Sequence, residues 1–487
     1  MNCASRIIPH LRDRGGRLAL LTDRDGALTF REFGELAASA QALARDAGLV
    51  AGDSALVLAR PSPQLFASVL GLIGIGVTVV FVEPWMPMRD VEHVVKLAAP
   101  RAFFGSTLAQ LWGVRVRAVR GVERWINIRK VGRRRAVAPF AIEEMDGERA
   151  AIVAFTSGTT GRPKGIVRTH RYLLDMHDIV GGFINAGAGD GPDLCLFPNI
   201  ALLQLGTGRG AVLVPDDWTA RGIRRLDALA ALSHPETLTC GPAFLLELLR
   251  NAARTPVLPS LKSVHVGGAL TDRRIFERAF ERWPGAKWTH VYGGTEAEPV
   301  SHGDARECVR VSREHGLFQT LNVGFPIPEI KTRFTSEGLW VSGRNVAPEY
   351  LGAAEENRRT KHVDEDGRLW HCMGDRIESD DAGWWLNGRA SEPAADFALE
   401  QRLYARLETS KCFIHRDEKG AALLYGEGIF SRIRELGVSL EREFPEIAGL
   451  REIRIVRDRR HRARIDRARS LGRGASNVVR RLHIAAR

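Results

Sequence analysis

A chain of 487 residues with 44% hydrophobic and 26% charged residues has the composition of a folded protein with roughly two to four domains, which excludes disordered and fibrous classes. The formal charge of +12 is concentrated after Leu450, where thirteen arginines face three acidic residues. A basic tail of this kind can bind nucleic acid or anionic lipid, but we favour a solvated surface and do not expect nucleic acid as a partner.

Targeting signals and metal frameworks are not evident in the sequence. The six cysteines are scattered and form no CxxC pair, and residues 1–16 lack the continuous apolar core of a secretion signal. The apolar stretch 65–82 is long enough to cross a membrane, but its glycines favour a buried helix that ends at Gly76 and a buried strand over 77–82. We therefore expect a cytoplasmic protein without a transmembrane segment.

Helical and strand patterns alternate along most of the chain. Helices are predicted over 30–47 and 63–75, between short apolar strands at 54–58, 101–104 and 150–155. The same alternation continues through strands at 237–240, 263–266 and 288–291. This order predicts an α/β fold with doubly wound sheets, in which ligands bind at the carboxyl ends of the strands.

The pattern changes after Gly338 to short strands at 339–342, 368–372 and 383–386, which predicts a small β subdomain over about 320–388. A change in composition follows at Asn387-Gly388-Arg389. We place a domain boundary there, so that residues 1–388 form a large N-terminal domain. Residues 389–487 then form a small α+β domain whose basic tail begins at about residue 451.

The most informative segment is the run Thr156-Ser157-Gly158-Thr159-Thr160-Gly161-Arg162-Pro163-Lys164-Gly165. Its glycines allow backbone N–H groups to approach an anion, its hydroxyls add donors and Lys164 adds positive charge. The spacing differs from that of P-loop NTPases because Pro163 and Gly165 flank the lysine. We predict a phosphate-binding loop between the strand at 150–155 and a helix that begins near Thr169.

This run resembles the signature loop of the adenylate-forming superfamily, which includes acyl-CoA synthetases, adenylation domains of peptide synthetases and luciferases. Two later segments are similar to motifs of the same family, namely Val266-Gly267-Gly268-Ala269 and Tyr292-Gly293-Gly294-Thr295-Glu296. The first resembles a strand end beside adenine. From the second, the resemblance implies that Tyr292 stacks on adenine, Thr295 holds a phosphate and Glu296 ligates Mg²⁺.

Further motifs occur in the order expected for that family. In Met373-Gly374-Asp375 the resemblance implies that Asp375 binds the ribose hydroxyls, and in Asn387-Gly388-Arg389 that Arg389 contacts the ribose. Ser391 then falls near the hinge of a mobile C-terminal lid domain. The resemblance covers essentially the whole chain.

Two positions depart from the family pattern. The catalytic lysine of the C-terminal domain aligns with Arg464, which keeps the charge but is planar and bulkier. Residues 390–397 lack the lysine and glycine loop that lines the pantetheine tunnel of CoA ligases. The run Arg460-His461-Arg462-Ala463-Arg464-Ile465 resembles the branch that contains the β-lactone synthetases of olefin biosynthesis. The segments His371-Cys372-Met373-Gly374-Asp375 and Arg60-Pro61-Ser62-Pro63 share this resemblance.

The resemblance implies ATP- and Mg²⁺-dependent activation of a carboxylic acid, fatty or β-hydroxy, as an acyl-adenylate with release of pyrophosphate. The acyl group would then pass to CoA or to an acyl carrier protein. The acid is expected in an apolar pocket near Ile200, Gly267 and Gly294. Two alternatives remain open: β-lactone closure without CoA, and a nucleotide-binding protein in which Arg464 has ended catalysis.

Overall fold

The computed structural model describes residues 1–157, 162–187, 189–251, 258–457 and 465–473. In chain order, the strands of the first half are β1 (Leu18–Thr22), β2 (Gly26–Thr29), β3 (Ser54–Leu58), β4 (Thr78–Phe81), β5 (Ala102–Gly105), β6 (Arg124–Asn127), β7 (Ala150–Ser157), β8 (Pro163–Thr169), β9 (Asp193–Cys195), β10 (Ala211–Leu213) and β11 (Thr237–Cys240).

The later strands are β12 (Ser263–Gly267), β13 (Thr271–Asp272), β14 (Lys287–Gly294), β15 (Ala297–Asp304), β16 (Gln319–Thr320), β17 (Phe325–Pro326), β18 (Lys331–Thr335), β19 (Gly338–Ser342), β20 (Lys361–Val363), β21 (Leu369–Cys372), β22 (Asp375–Asp380), β23 (Gly383–Arg389), β24 (Cys412–Arg416), β25 (Ala422–Gly426) and β26 (Ile447–Glu452).

The α-helices are α1 (Ile8–Asp13), α2 (Phe30–Asp46), α3 (Pro63–Gly74), α4 (Met88–Ala98), α5 (Thr107–Gly113), α6 (Arg117–Arg120), α7 (His170–Ile184), α8 (Pro198–Thr207), α9 (Ala220–Ser233), α10 (Pro242–Asn251), α11 (Arg273–Arg282), α12 (Ala305–Glu314), α13 (Ala354–Thr360), α14 (Ala394–Leu407), α15 (Ile429–Glu435), α16 (Leu440–Glu443) and α17 (Arg467–Arg473). Short 3₁₀ helices span Cys3–Ile7 and Ile128–Lys130.

Two large sheets form the body of the molecule. The first has the strand order β6-β5-β3-β4-β7-β8 and is parallel except for the β7–β8 hairpin. The second has the order β17-β15-β14-β12-β11-β9-β10-β1-β2, with antiparallel strands only at its two ends. Parallel central strands require crossovers, which the intervening helices provide.

Alternate side chains of each strand pack into hydrophobic cores on opposite faces of the sheet. In β3, Ala55 and Val57 pack into a core between the two sheets, whereas Leu56 packs on the outer face. In the second sheet, Cys195 joins the same central core and Leu194 packs on the opposite face. Both sheets are therefore covered on both faces, as expected for a doubly wound α/β protein, and the predicted fold class is confirmed.

Helix α3 lies in the central core. All of its residues except Gln64 are buried, which explains why its sequence is apolar around its whole circumference. Ser62 caps its N-terminus, and Gly71 allows close packing on α2, because a Cβ there would lie 2.9 Å from that of Ala40. The apolar stretch 65–82 thus forms α3 and β4, as predicted, and no helix within the described residues is long and apolar enough to cross a membrane.

Smaller sheets follow. Strands β18-β19-β21-β20 form a four-stranded sheet, β22 pairs with β23, and β24-β25-β26 form a three-stranded sheet. That last sheet shares a core with α14, to which Leu403, Ile414 and Leu424 contribute. Arg389 ends β23 shortly before α14 begins, and the domain boundary predicted there stays a prediction.

One local expectation was wrong. The sequence predicted a loop over 156–165 before a helix that begins near Thr169, but Thr156 and Ser157 extend β7, and Pro163–Thr169 form β8. The β-branched residues Ile166, Val167 and Thr169 favour a strand at this position. Helix α7 does begin after Thr169, whose side chain caps it.

Glu400 on α14 is a buried acid beneath α17. It is 3% exposed, and its carboxylate accepts hydrogen bonds from Ile414 N at 2.8 Å, from the Tyr404 hydroxyl at 3.2 Å and from Arg467 Nη2 at 3.0 Å. Burial raises the pKa of Glu400 from 4.5 to about 7, although Arg467 opposes the change. An acid with a higher pKa in the folded chain contributes stability that declines as the pH rises between these two values.

We predict that the free energy of unfolding of Glu400→Gln, relative to that of the wild type, increases by about 3 kcal/mol as the pH rises from about 5 to about 8. At the lower pH both side chains are neutral and similar in shape, whereas at the higher pH the wild type has an ionised buried carboxylate. Chemical denaturation of the full chain at both pH values measures the difference, with the exposed Glu418→Gln as the control. A loss of stability in Glu400→Gln as the pH rises would mean that the ion pair with Arg467 outweighs burial.

Candidate functional site

The β7–β8 hairpin carries the glycine-rich run. Thr156 pairs with Lys164 and Ser157 pairs with Pro163, so the two ends of the run face each other across the hairpin. Gly158, Thr159, Thr160 and Gly161 lie outside the described residues. The outer strand of the hairpin is held by the segment before α13, because Leu351 N donates to Gly165 O at 2.7 Å and Val167 N donates to Glu349 O at 3.0 Å.

Lys164 makes an ion pair that the sequence did not predict. Its Nζ lies 2.6 Å from Glu356 Oε1 on α13, and the two side chains are only 14% and 13% exposed. Arg359 contacts the same carboxylate oxygen at 2.8 Å. Burial alone would raise the pKa of Glu356, but the hydrogen bonds from the two cations outweigh burial and lower that pKa. Glu356 is therefore ionised at neutral pH and fixes the position of Lys164.

Tyr350 connects this ion pair to Glu296. Its hydroxyl donates to Glu296 Oε1 at 2.8 Å, and the Nζ atoms of Lys164 and Lys361 lie 5.8 Å and 5.3 Å from its ring centroid. Burial raises the pKa of Tyr350, and the negative charge of Glu296 raises it further. The phenol thus stays protonated and acts as a donor to Glu296.

Lys361 helps to position Glu296 through the main chain of Ala347. Its ammonium is buried and donates to Ala347 O at 2.7 Å, while Ala347 N donates to Glu296 O at 2.7 Å. Burial lowers the pKa of Lys361 to about 8. Both the main chain and the side chain of Glu296 are therefore held by the segment 347–361.

Glycines bring the carboxyl ends of β12 and β14 together. A Cβ on Gly267 would lie 2.8 Å from Val291 O, and one on Gly293 would lie 2.9 Å from Ala297 O. Gly268 has φ +85°, a conformation that favours glycine, and Ala269 follows it. Only residues without side chains allow this close approach of the backbone at the strand ends, where doubly wound folds bind ligands.

Tyr292 and Asp375 meet although they are 83 residues apart. The Tyr292 hydroxyl donates to Asp375 Oδ2 at 2.6 Å, and Arg389 Nη1 lies 3.2 Å from Asp375 Oδ1. Arg389 also donates to Met373 O at 2.8 Å. Both carboxylate oxygens of Asp375 have protein partners, and each retains a lone pair that can accept a further hydrogen bond.

Gly294 and Thr295 lie in the short segment that connects Tyr292 to Glu296. A Cβ on Gly294 would lie 3.2 Å from Met373 Cε and 3.5 Å from Glu296 Oε2. The buried Arg168 of β8 donates through Nη2 to Thr295 O at 3.1 Å. The structure thus brings Lys164, Thr295, Glu296, Tyr292, Asp375 and Arg389 into one connected region.

Other predicted residues lie elsewhere. Arg464 is outside the described residues, and Ser391 lies in an exposed turn. The carbonyls of residues 389, 390 and 392 around Ser391 accept hydrogen bonds from Arg376. Ile200 packs in the central core, whereas Phe197 at the start of α8 lies near Gly241, which in turn is close to Gly267 O. Phe197, which was not among the predicted residues, therefore lies near the strand end at Gly267.

The sequence analysis missed Glu356, Tyr350, Lys361 and Arg168. All four side chains are half-buried or buried, and each supports a predicted residue rather than belonging to a glycine-rich motif. A pair of acids in the first turn of a helix, such as Glu355-Glu356 in α13, is common and carries no functional signal by itself. The buried position of Lys361 could not be inferred from its charged neighbourhood.

Comparison with known proteins agrees with this geometry. A family model described as AMP-binding enzyme matches residues 10–351. A curated protein named olefin β-lactone synthetase from Stenotrophomonas maltophilia is 27% identical over 336 residues, which are 63% of this chain and 60% of the relative. A protein of the same name from Xanthomonas campestris is 28% identical over 401 residues, or 73% of this chain and 71% of the relative. The chain thus aligns with only about 60–70% of the length of these relatives.

A solved structure supports the fold. O-succinylbenzoate coenzyme A synthetase from Bacillus subtilis, in complex with ATP and a magnesium ion, superimposes with a TM-score of 0.76 at 16% identity. The match covers 93% of this chain and 96% of that protein. The likeness confirms the architecture along almost the whole chain.

We predict that Asp375→Asn weakens binding of MgATP about tenfold or more. Hydrogen bonds to charged groups contribute about 1.5–3 kcal/mol, and the amide offers one neutral acceptor in place of two charged ones. Titration calorimetry of the purified full chain measures the affinity. The exposed Asp381→Asn is the matched control, and equal affinity of Asp375→Asn and the wild type would remove Asp375 from the nucleotide site.

Proposed function

The chain belongs to the family of AMP-binding enzymes, and from this premise we propose that it joins a carboxylic acid to AMP at the site described above. ATP is the co-substrate of the proposed reaction, and Mg²⁺ is the metal cofactor. The proposal rests chiefly on one set of contacts. Tyr292 donates a hydrogen bond to Asp375, and Tyr350 donates one to Glu296. Glu356 fixes Lys164 beside the ring of Tyr350. Three separate segments thereby contribute polar groups to one face of the strand ends.

In the proposed nucleotide site, the ring of Tyr292 stacks on adenine and the carboxylate of Asp375 accepts hydrogen bonds from the ribose, with Arg389 beside it. The glycines at 267, 268, 293 and 294, with Ala269, allow the base to approach the backbone. The triphosphate lies against the glycine-rich run, from which we assign Thr156, Ser157, Thr159 and Thr160 as donors, and Thr295 adds a donor after β14.

One carboxylate suits magnesium in such a site. Mg²⁺ retains several waters and is typically held by one or two carboxylates together with substrate phosphates, and the residues that the structure describes contain no cluster of three or more candidate ligands. Glu296 is fixed through Oε1, and its Oε2 faces Gly294. When bound there, Mg²⁺ would supply positive charge to the phosphates.

The proposed reaction needs no protein nucleophile. A carboxylate oxygen of the acid forms a bond with the α-phosphorus, the bond from that phosphorus to the bridging oxygen breaks, and pyrophosphate leaves with the bonding electrons. Catalysis consists of alignment and charge stabilisation by fixed groups. Lys164, Thr295 and Arg464 are the side chains that we assign to this role.

We place the acid near Gly267 and Gly294, with Phe197 and the start of α8 as the apolar wall. A fatty or β-hydroxy acid is the proposed substrate class. The two curated relatives named olefin β-lactone synthetase support a β-hydroxy acid. In that case the β-hydroxyl oxygen attacks the acyl carbon, its proton leaves, and AMP is released as the ring closes.

Transfer of the acyl group to CoA or to a carrier protein is the other proposed second step. We propose that residues 389–487 form a mobile domain whose rotation switches the site between the two half-reactions, with Ser391 near the hinge. The core of α14 and β24–β26 is built from residues 399–450 except for Phe318, which supports this division. Domain rotation of this type exposes different residues to one site in turn.

We predict that the wild type catalyses ATP–pyrophosphate exchange with at least one acid from a panel of fatty, β-hydroxy, aryl and amino acids. Arg464→Lys should raise the exchange rate by about tenfold or more, because a compact ammonium suits a site adapted to lysine. Arg462→Lys, two residues away, is the matched control. Binding of MgATP without exchange in either protein, with every acid, would support the catalytically inactive alternative.

We also predict that a β-hydroxy acid gives a β-lactone without CoA, whereas the same acid without its hydroxyl group stops at the adenylate. Only the hydroxyl supplies the internal nucleophile. Mass spectrometry of the products with and without CoA distinguishes the two routes. A thioester formed from both acids only in the presence of CoA would establish acyl-CoA synthesis instead.

A further inference from the structure

A second concentration of positive charge lies far from the C-terminal tail. Between Thr107 and Val137 the chain has nine arginines and lysines and a single acidic residue, Glu123, which leaves a local charge of +8. The chain total hides this region because acidic residues elsewhere offset it. The segment contains α5, α6, β6 and the short helix Ile128–Lys130.

Helix α5 exposes apolar side chains. Leu108 is 77% exposed, Leu111 62% and Val114, just after the helix, 54%. The opposite face of α5 is buried by Ala109 and Gly113, and a Cβ on Gly113 would contact Phe103 and Trp125. A surface helix normally directs its polar face to solvent, so this outward apolar face requires a partner surface.

The charged and apolar groups are adjacent. Asn127 Nδ2 donates to Thr107 Oγ1 at 3.0 Å and to Gln110 Oε1 at 3.3 Å, which fixes the segment of Arg129 and Lys130 beside α5. Helix α6 follows α5 after three residues. We call the exposed side chains of residues 107–137 the basic edge.

Most cations of the basic edge are not neutralised. Arg124 pairs with Glu123, and Arg134 pairs with Asp46. Within the described part of the chain, the other seven have no carboxylate within 4.0 Å, and all seven are exposed: Arg115, Arg117, Arg120, Arg129, Lys130, Arg133 and Arg135. Exposed charges of one sign attract an anionic surface.

The basic edge lies away from the candidate site. Strand β6 is at one edge of the first sheet and β8, with Lys164, is at the other, five strand spacings apart. At about 4.8 Å per spacing, this is about 24 Å. A large flat partner at the basic edge would therefore leave the strand ends accessible.

We propose that the basic edge binds the surface of an anionic lipid bilayer. Arginines attract the headgroups, and Leu108, Leu111 and Val114 insert between them, which is the combination that places proteins at membrane interfaces. The outward leucines favour a bilayer over nucleic acid, because a bilayer offers an apolar phase to aliphatic side chains, whereas nucleic-acid surfaces are dominated by phosphates. The contact is peripheral and does not depend on the acid or the acceptor of the reaction.

The test is co-sedimentation of the full chain with vesicles of phosphatidylcholine alone and of phosphatidylcholine mixed with phosphatidylglycerol. We expect binding only to the mixed vesicles, with loss of binding in high salt. Arg117→Gln/Arg120→Gln and Leu108→Gln/Leu111→Gln should each weaken the affinity by about tenfold or more, since each basic residue near such a surface and each buried apolar group adds to binding. All four positions are exposed, and circular dichroism checks that the variants fold.

Helix α9 supplies matched controls. It has two exposed arginines, Arg221 and Arg224, and an exposed leucine, Leu232, with the same 77% exposure as Leu108. Arg221→Gln/Arg224→Gln and Leu232→Gln should bind vesicles within about twofold of the wild type.

Four outcomes would overturn the proposal. Equal weakening by the α9 variants would indicate attraction by overall charge, and unchanged binding in the basic-edge variants would assign the binding to the C-terminal tail. Failure to bind mixed vesicles, together with salt-sensitive binding to RNA that the arginine variants weaken, would make the basic edge a nucleic-acid surface. If the chain does not bind mixed vesicles but self-associates, and the leucine variants abolish that self-association, the basic edge is a contact between copies of the chain.

Discussion

The hydrogen bond from Tyr350 to Glu296 is the contact on which the geometry of the candidate site depends. Glu296 lies in the turn between β14 and β15, while Tyr350 precedes α13 and pairs with Ile166 of the β7–β8 hairpin. One buried phenol therefore joins the strand ends of the second sheet to the edge of the first. Around it, Lys361 fixes Ala347 and Glu356 fixes Lys164, so none of these groups can shift alone.

Local patterns allowed much of the fold to be predicted. Helices α2 and α3 and strands β3, β5 and β11 were expected within one or two residues, because capping residues, glycines and β-branched runs determine such elements locally. Strand β8 was missed because its first residues belong to a glycine-rich motif, whereas its pairing with β7 decides its conformation. The domain boundary predicted near Arg389 rests on a change in composition, and secondary structure alone does not decide it.

The candidate site could be predicted only as a set of motifs. Glycines at strand ends have a signature in the sequence, because close approach of the backbone requires them. Glu356, Tyr350 and Lys361 have no such signature, since their roles arise from tertiary contacts between distant segments. The local charge of the basic edge can be counted from the sequence, but the exposure of its arginines and of Leu108 and Leu111 is a tertiary property.

The pairing of Lys164 with Glu356 affects the charge balance of the proposed reaction. Glu356 contacts two cations, Lys164 and Arg359, and offsets the charge of only one of them. Lys164 can still donate hydrogen bonds to the phosphates from its other N–H groups. In the proposed reaction, most of the negative charge of the triphosphate would then be neutralised by Mg²⁺ at Glu296 and by a cation from the proposed C-terminal domain. A site with this balance would be weakly active until that domain closes, which gives the identity of residue 464 more influence on adenylation than that of the loop lysine.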